Sequence, residues 1–362
     1  MTAVDVAGLT TEYERWLGAH IPLVAADLRA KHEEMAASVL RFLRGTYYLW
    51  LYRAAELLPA LATRTRVPAV GDLHIENFGT WRDHRRKRRW GVNDLDELAW
   101  GNPALDLVRL ATSAVLAPGV ALSTKELCRL LLDEWRTASA GTALDMGTGA
   151  ARHLRVLVPV PASANRYYTA LADAPPADPE TVHDVVRTAV EHTVGEGWRP
   201  TWHWRRAGTG SLGHPRIHAV GRDGRGRWQA REVKLLGPAT VTWLRDRVPP
   251  ADLPIVDDLL YGRVVAAVRG PEPSRRVHGW QVRRLAPDVV RIDLSGLRTR
   301  DAQRMVRSMA RAVVGVHGVA PAAFTAARAE SGVLDGDRFR DAVELMAADT
   351  RESHRAWRQH HG

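Results

Sequence analysis

The chain has 362 residues, 45% of them apolar, which suffices for a packed core and excludes a disordered polypeptide. Its formal charge of +10 is carried almost wholly by arginine and is spread along the chain with no basic stripe interleaved with aromatics, which argues against a nucleic-acid surface. No apolar run is long enough to span a membrane, the opening MTAVDVAGLTTEYERW carries acids where a secretory leader needs bases, and Cys128 is the sole cysteine, so the sequence excludes an intrachain disulfide and predicts a cytoplasmic protein.

Residues 11 to 60 repeat apolar side chains at three and four positions and are predicted helical. VPAVGDLHIENFGTW and RRWGVNDLDELAWG follow as short β-prone runs around the charged turn RDHRRKR, the pattern of a hairpin with polar residues at its base. Helix resumes from Pro103 to about Ala138, with Asn102 as its cap and Pro103 as its first residue. Cys128 lies there in the amphipathic stretch KELCRLLLDEW, where a buried, inert thiol is expected. ADAPPADPETV, Ala172 to Val182, reads as a linker. From about Trp198 to Leu294 the pattern is strand and turn. RRAGTGSLGHPRIHAVGRDGRGRWQAREVKLL is taken as three strands with GRDGRGR as a hairpin turn, followed by a helix at about Ala239 to Arg247 and a helical piece at Leu253 to Tyr261. GRVVAAVRG and GWQVRRLAPD are taken as further strands, and the last 65 or so residues as helices. The expectation is an α+β protein of two lobes. An α-rich lobe comprises residues 1–195 and 296–362, its first and last segments packed together, and a smaller antiparallel β-rich lobe comprises 196–295.

Two constellations carry chemistry. GDLHIENFG puts Asp72, His74, Glu76 and Asn77 within six residues, and NDLDELAWGNPALDL adds Asp94, Asp96, Glu97 and Asp106. A carboxylate, an amide five positions on and a further carboxylate on an adjoining strand are what phosphoryl transfer from a magnesium nucleotide requires: one acid for the acceptor, and hard oxygen donors for the metal. Ordinary turn residues are the plain alternative for GDLH. It loses ground once the second acidic cluster follows, because crowded carboxylates repel one another unless a cation offsets them. His74 is placed with Asp72 in the catalytic set, bracing of the loop backbone being its alternative role. No pair of histidines has zinc-ligand spacing, which argues against a metal hydrolase.

The second constellation is AGTGSLGHPRI, with Gly208, Gly210, Ser211 and Gly213 in a turn between two strands, the way a kinase covers ATP phosphates with backbone amides. Twenty-one residues after Gly213 stands Lys234, one of four lysines in the chain with Lys31, Lys87 and Lys125, on an apolar strand suited to pairing with those phosphates. A strand-end lysine facing water is the alternative. Its acidic partner is open between Asp246, Asp257, Asp258 and Glu232, the last on the same strand face.

Together these motifs resemble the protein-kinase-like phosphotransferases, in particular the aminoglycoside phosphotransferases and choline kinases. More closely, RFLRGTYY, GDLHIENFG, NDLDE, GTGSLG, the lysine strand and GWQVRRLAPD are similar, in that order over about residues 30 to 350, to the domain of unknown function 2252 family. The resemblance implies Asp72 as catalytic aspartate, Asn77 and Asp94 as metal ligands and Asp106 as the acid bracing the catalytic loop. Because Lys234 follows Asp72 by 162 residues, it also implies a circularly permuted kinase arrangement, with VRRLAPD as the connector between lobes and Arg283 and Arg284 near the adenine site. The function expected is transfer of the γ-phosphoryl group of ATP, with Mg2+, to a small-molecule hydroxyl or amine. Asp96 and Glu97 are assigned to a second metal or a basic acceptor. A nucleotide-binding pseudokinase and a nucleotidyl transferase are the alternatives.

Overall fold

The protein is described here by a computed structural model covering residues 4–361 except 62–63, 84, 86, 142, 159–162, 196, 207, 250–252, 271–274, 293 and 331–334. Four helices open the chain: α1 (Val6–Gly18), α2 (Ala25–Ala37), α3 (Val39–Gly45) and α4 (Tyr47–Leu57). Then come β1 (Val67–Ala69), β2 (Phe78–Arg82), β3 (Arg88–Val92) and β4 (Ala99–Gly101). β2 and β3 form the anticipated hairpin, Phe78 opposite Val92, while β1 pairs antiparallel with β4. This second pairing brings the two ends of the acidic region side by side.

α5 (Pro103–Leu116) starts where the sequence places it, with the Asn102 side chain accepting from the Ala104 amide at 2.9 Å. Such a cap stabilises a helix by about 1 kcal/mol. α6 (Thr124–Thr137) buries Cys128, and burial pushes its thiol up to about 12, as expected of an inert cysteine. β5 (Leu144–Asp145) extends the hairpin along β3.

α7 (Ala164–Ala172) and α8 (Asp184–His192) flank the linker and belong to no element predicted from sequence. Beyond them lie β6 (Thr201–Trp204), β7 (Arg216–Arg222), β8 (Trp228–Leu235), α9 (Thr240–Leu244), α10 (Leu260–Val264), β9 (Arg275–Val277) and β10 (Trp280–Arg284). The five strands make one antiparallel sheet in the order β6-β7-β8-β10-β9. The period-2 alternation of its strands sorts the side chains onto two faces. Ile217, Ala219, Val233 and Val282 pack under Val182, Val186 and Val190 around α8. The opposite face carries Arg216, Lys234 and Gln281 side by side across β7, β8 and β10, and His218, Glu232 and Arg283 in the next row. At the far end of that face Val220, Ala230 and Leu285 pack on Tyr168 and Leu171 of α7. Both helices precede residue 195, so the boundary expected there falls after two helices whose apolar sides belong to the sheet.

α11 (Thr299–His317), α12 (Pro321–Ala329) and α13 (Gly336–His361) complete the chain. In α13 the buried residues Phe339, Ala342, Val343, Met346, Ala347, Thr350 and Trp357 keep the three-and-four spacing of one helix face. That face packs on the opening helices. Arg53 pairs with Asp349 at 2.7 Å, and the Trp357 indole donates to the His32 carbonyl at 3.4 Å, so the first and last segments share a core.

The architecture is α+β, as predicted, with two local corrections. GRVVAAVRG is helix rather than strand: α10 runs into a π-helical turn at Val265–Arg269, and its buried positions Leu260, Tyr261, Val264, Val265 and Val268 have helical spacing that the β-branched composition masked. Of the helical piece expected at Leu253 to Tyr261 only Leu260 and Tyr261 are helical, as the start of α10; before them lie a bridge of Ile255 to Trp100 and a turn. Of the three strands expected between Arg205 and Leu236 two are there among the described residues, β7 and β8; the strand before the glycine turn, β6, ends upstream at Trp204. Among the described residues no helix is long and apolar enough to cross a membrane.

Candidate functional site

The polar face of the five-stranded sheet looks across a cleft at the β1–α5 region. Asp72, Asp94, Asp96 and Lys234 all line it, as do His74, Asn77, Gly208, Gly210 and Ser211. Gly213 does not: its carbonyl accepts from the Val24 amide at 2.8 Å and it abuts Leu28, tying the end of the glycine turn to the start of α2.

The Asp72 loop is held from below. The Asp106 carboxylate, on the buried face of α5, accepts from the amides of Val70 at 2.7 Å and Gly71 at 2.9 Å. Its Oδ2 also accepts from His317 Nε2 at 3.0 Å, and the Trp135 indole donates to His317 Nδ1 at 3.0 Å, which fixes the histidine tautomer because an indole N–H only donates. Asp72 itself accepts through Oδ1 from Nε and Nη2 of Arg109, a fully buried guanidinium stacked over Tyr47 and Trp50. A single turn of α5 therefore supplies both the acid under the loop and the cation that orients Asp72. His74 caps the single turn Ile75–Asn77: its Nδ1 accepts from the Glu76 amide at 3.2 Å and its own amide donates to Asn77 Oδ1 at 2.8 Å. Burial, followed by the charges of Arg44, Arg109 and Arg291, holds the His74 imidazole well below its usual range, so it is neutral. That geometry matches the bracing alternative for His74. Asn77 Oδ1 spends one lone pair on the loop and keeps a second.

The second acidic cluster meets the lysine. Lys234 Nζ forms an ion pair with Asp96 Oδ2, and Gln281 Nε2 donates to Asp96 Oδ1 at 2.7 Å. None of the four acids considered from sequence partners Lys234: among the described residues its partner is Asp96, which had been assigned to a metal. Burial raises the Asp96 carboxyl, but the attraction of Lys234 outweighs it and holds the group below the carboxylate range. For Asp94, burial and then the charge of Asp96 push the carboxyl up. Glu97 accepts from the Thr240 amide at 3.0 Å and hydroxyl at 2.7 Å, yet burial dominates and its carboxyl is pushed up to about 7.

Glu232, the candidate on the lysine's strand face, serves a different set. It is fully buried, and Arg205 Nε at 2.6 Å, Arg216 Nη1 at 2.8 Å and Arg283 Nε at 2.6 Å all donate to it. Burial alone would raise its carboxyl; the three guanidinium groups hold it well below the usual range. Arg216 also donates to Ser211 Oγ, linking the sheet to the glycine turn. Sequence reasoning missed Arg205 and Arg216, although alternation along β7 and β8 placed Arg216 on the face of Lys234. It missed Lys31 and Arg44 too, buried cations that line the cleft from α2 and α3. Lys31 has Glu14 at 3.8 Å, and Arg44 pairs with Glu76.

Among the described residues no group of three or more His, Cys, Asp or Glu side chains forms a metal-binding cluster. Two carboxylates and an amide, Asp94, Asp96 and Asn77, nonetheless fit the protein's share of a magnesium nucleotide site, where phosphate and water supply the remaining oxygens.

No curated protein and no solved structure matches the chain. Residues 23–138, from just before α2 to the end of α6 and including the Asp72 and Asp94 clusters but neither the glycine turn nor Lys234, match the model of a family described as an uncharacterized protein conserved in bacteria (DUF2252).

Proposed function

We propose that the protein is an ATP-dependent phosphotransferase of permuted kinase-like architecture, moving the γ-phosphoryl group to a hydroxyl or amine of a small molecule. The observation that carries this reading is the meeting of Lys234 with Asp96, 138 residues earlier, in a cleft that also holds Asp72 and the glycine turn. A glycine turn between the first two strands of a sheet and a lysine on the third is the arrangement by which kinases clamp ATP phosphates, and the order β6-β7-β8 has it.

In this reading Lys234 leaves Asp96 to engage phosphate oxygens, which exchanges one ion pair for another. Amides of the 208–211 turn cover the phosphates. Asp94, Asp96 and Asn77 hold Mg2+, which when bound neutralises phosphate charge and orients the transferring group. Asp72, with Oδ1 fixed by Arg109, presents Oδ2 toward Gly210 and receives the proton of the acceptor hydroxyl or amine.

Purified protein incubated with ATP, Mg2+ and panels of alcohols and amines tests this by ADP formation. Asp72→Asn is the informative variant, because Asn keeps a side-chain oxygen to accept from the buried Arg109 where Ala keeps none. Turnover is expected to fall by at least ~10²-fold while ATP affinity stays within about twofold. Turnover that survives Asp72→Asn would reject the assignment. Thermal stabilisation by ATP without any product would favour the pseudokinase reading, for which the absence, among the described residues, of a helix glutamate beside Lys234 speaks, and AMP attached to a target would favour nucleotidyl transfer.

A further inference from the structure

We infer that Arg205 and Arg283 form a phosphate clamp on the inner face of the sheet, an anion station separate from Lys234 that receives a phosphoryl group of the bound ligand. Each guanidinium is anchored through Nε alone to one buried carboxylate, Glu232. Among the described residues no hydrogen bond engages the terminal nitrogens of either, and both side chains are about one-quarter exposed, at 26% and 25%, to the cleft they line. Anchoring at Nε fixes the plane of each guanidinium and leaves its terminal N–H groups as a preset fork, the geometry that recognises phosphate bidentately.

Charge points the same way. Glu232 offsets one of three arginines, counting Arg216, and the neighbouring Asp94 faces Arg283, so the cluster keeps a net positive charge on a partly exposed cleft wall. Such a surplus in a partly buried site is costly unless an anion completes it. Arg283 also lies within electrostatic reach of Asp94, so a phosphate held on the fork sits beside the acids assigned to magnesium. The sheet face there is Arg, Glu and His rather than the apolar surface that a purine ring stacks on.

The proposal rests on the nucleotide reading only for whose phosphate it is. A chain of phosphates on a nucleotide and a phosphate carried by a separate acceptor share the chemistry, and one set of titrations separates them. The full-length chain is titrated calorimetrically with inorganic phosphate, pyrophosphate, AMP, ADP and ATP, for the native protein, Arg205→Lys and Arg283→Lys. Lysine keeps the charge beside Glu232 but loses the fork. Pyrophosphate affinity is expected to fall at least about tenfold in each variant. If the phosphate belongs to the nucleotide, the loss grows from AMP to ATP; if it belongs to a separate molecule, inorganic phosphate weakens while ADP is unchanged. Arg205 lies just past the end of β6, so its variant remains informative should Arg283→Lys misfold. Pyrophosphate and phosphate binding within twofold of native in Arg205→Lys, or no binding of either by the native chain, overturns the clamp. Impaired pyrophosphate binding with no ADP formed from ATP would leave the clamp standing and reject phosphotransfer.

Discussion

Lys234 and Asp96 form the contact on which the site turns, and each has a distinct fate in a variant. Lys234→Met leaves Gln281 as the remaining hydrogen-bond donor to the Asp96 carboxylate among the described residues, removing the cation that does most to hold its carboxyl low, and is expected to weaken ATP binding about tenfold or more by calorimetry without loss of fold. Glu97 gives a pH signature. Its folded carboxyl is raised from 4.5 to about 7, so between those values the folded protein binds more protons than the unfolded chain, and stability falls as pH rises through that window. Below 4.5 the contribution is fully present; above about 7 it is gone. Glu97→Gln preserves both bonds to Thr240, with the amide donating to the hydroxyl. It is expected to flatten the decline in thermal midpoint between pH 5 and 8 and to stabilise the protein by about 1 kcal/mol at pH 8, solvent screening of the partly exposed carboxyl limiting the gain. An unchanged slope would remove Glu97 as the titrating group.

Elements fix where these side chains stand. The turn after β1 needs Gly71: its φ is +82°, and a Cβ there would lie 2.7 Å from the Glu97 carbonyl. Gly71→Ala is expected to cost about 2–3 kcal/mol in chemical denaturation and to lower activity further, because the Asp106 bonds to this turn set the direction of Asp72. Gly210 is required by proximity, since a Cβ would approach the Arg44 carbonyl to 3.1 Å. Much of this level was legible. The β2–β3 hairpin, the Asn102 cap, the glycine turn between strands and the amphipathic helices follow from periodicity and turn chemistry within a few residues. What misled was composition without spacing: Val-rich GRVVAAVRG reads as strand, yet its tertiary neighbours bury it on a helical face. α7 and α8 were not seen because each is only nine residues long and is stabilised by the sheet it covers.

The whole chain closes on itself through α13. Its Trp357 is buried against Phe42 and His32, so the last helix supports α2 and α3, from which Lys31 and Arg44 reach the cleft. Trp357→Ala is expected to destabilise the protein by about 3–5 kcal/mol and, at temperatures where it stays folded, to weaken nucleotide binding, although the cleft residue nearest in sequence, Arg291, is 66 positions away. Thermal unfolding with and without ATP checks both effects. Loss of stability with unaltered ligand stabilisation would show that the helical wall contributes nothing to binding.

From the sequence alone came the residue types and their local setting: an acid-rich hairpin, a glycine turn between strands, one lysine on an apolar strand, helices at both ends. These are fixed by φ/ψ preference and by periodicities of 2 and 3.6, which act over neighbouring residues. Which acid meets which cation was decided by the fold. Lys234 takes Asp96 because β8 and the turn before β4 face one cleft, and Glu232, although on the lysine's own strand face, is consumed by arginines from the end of β6 and from β7 and β10. Ion pairing depends on separation in space and on shared burial, and neither quantity is written in the spacing along a chain.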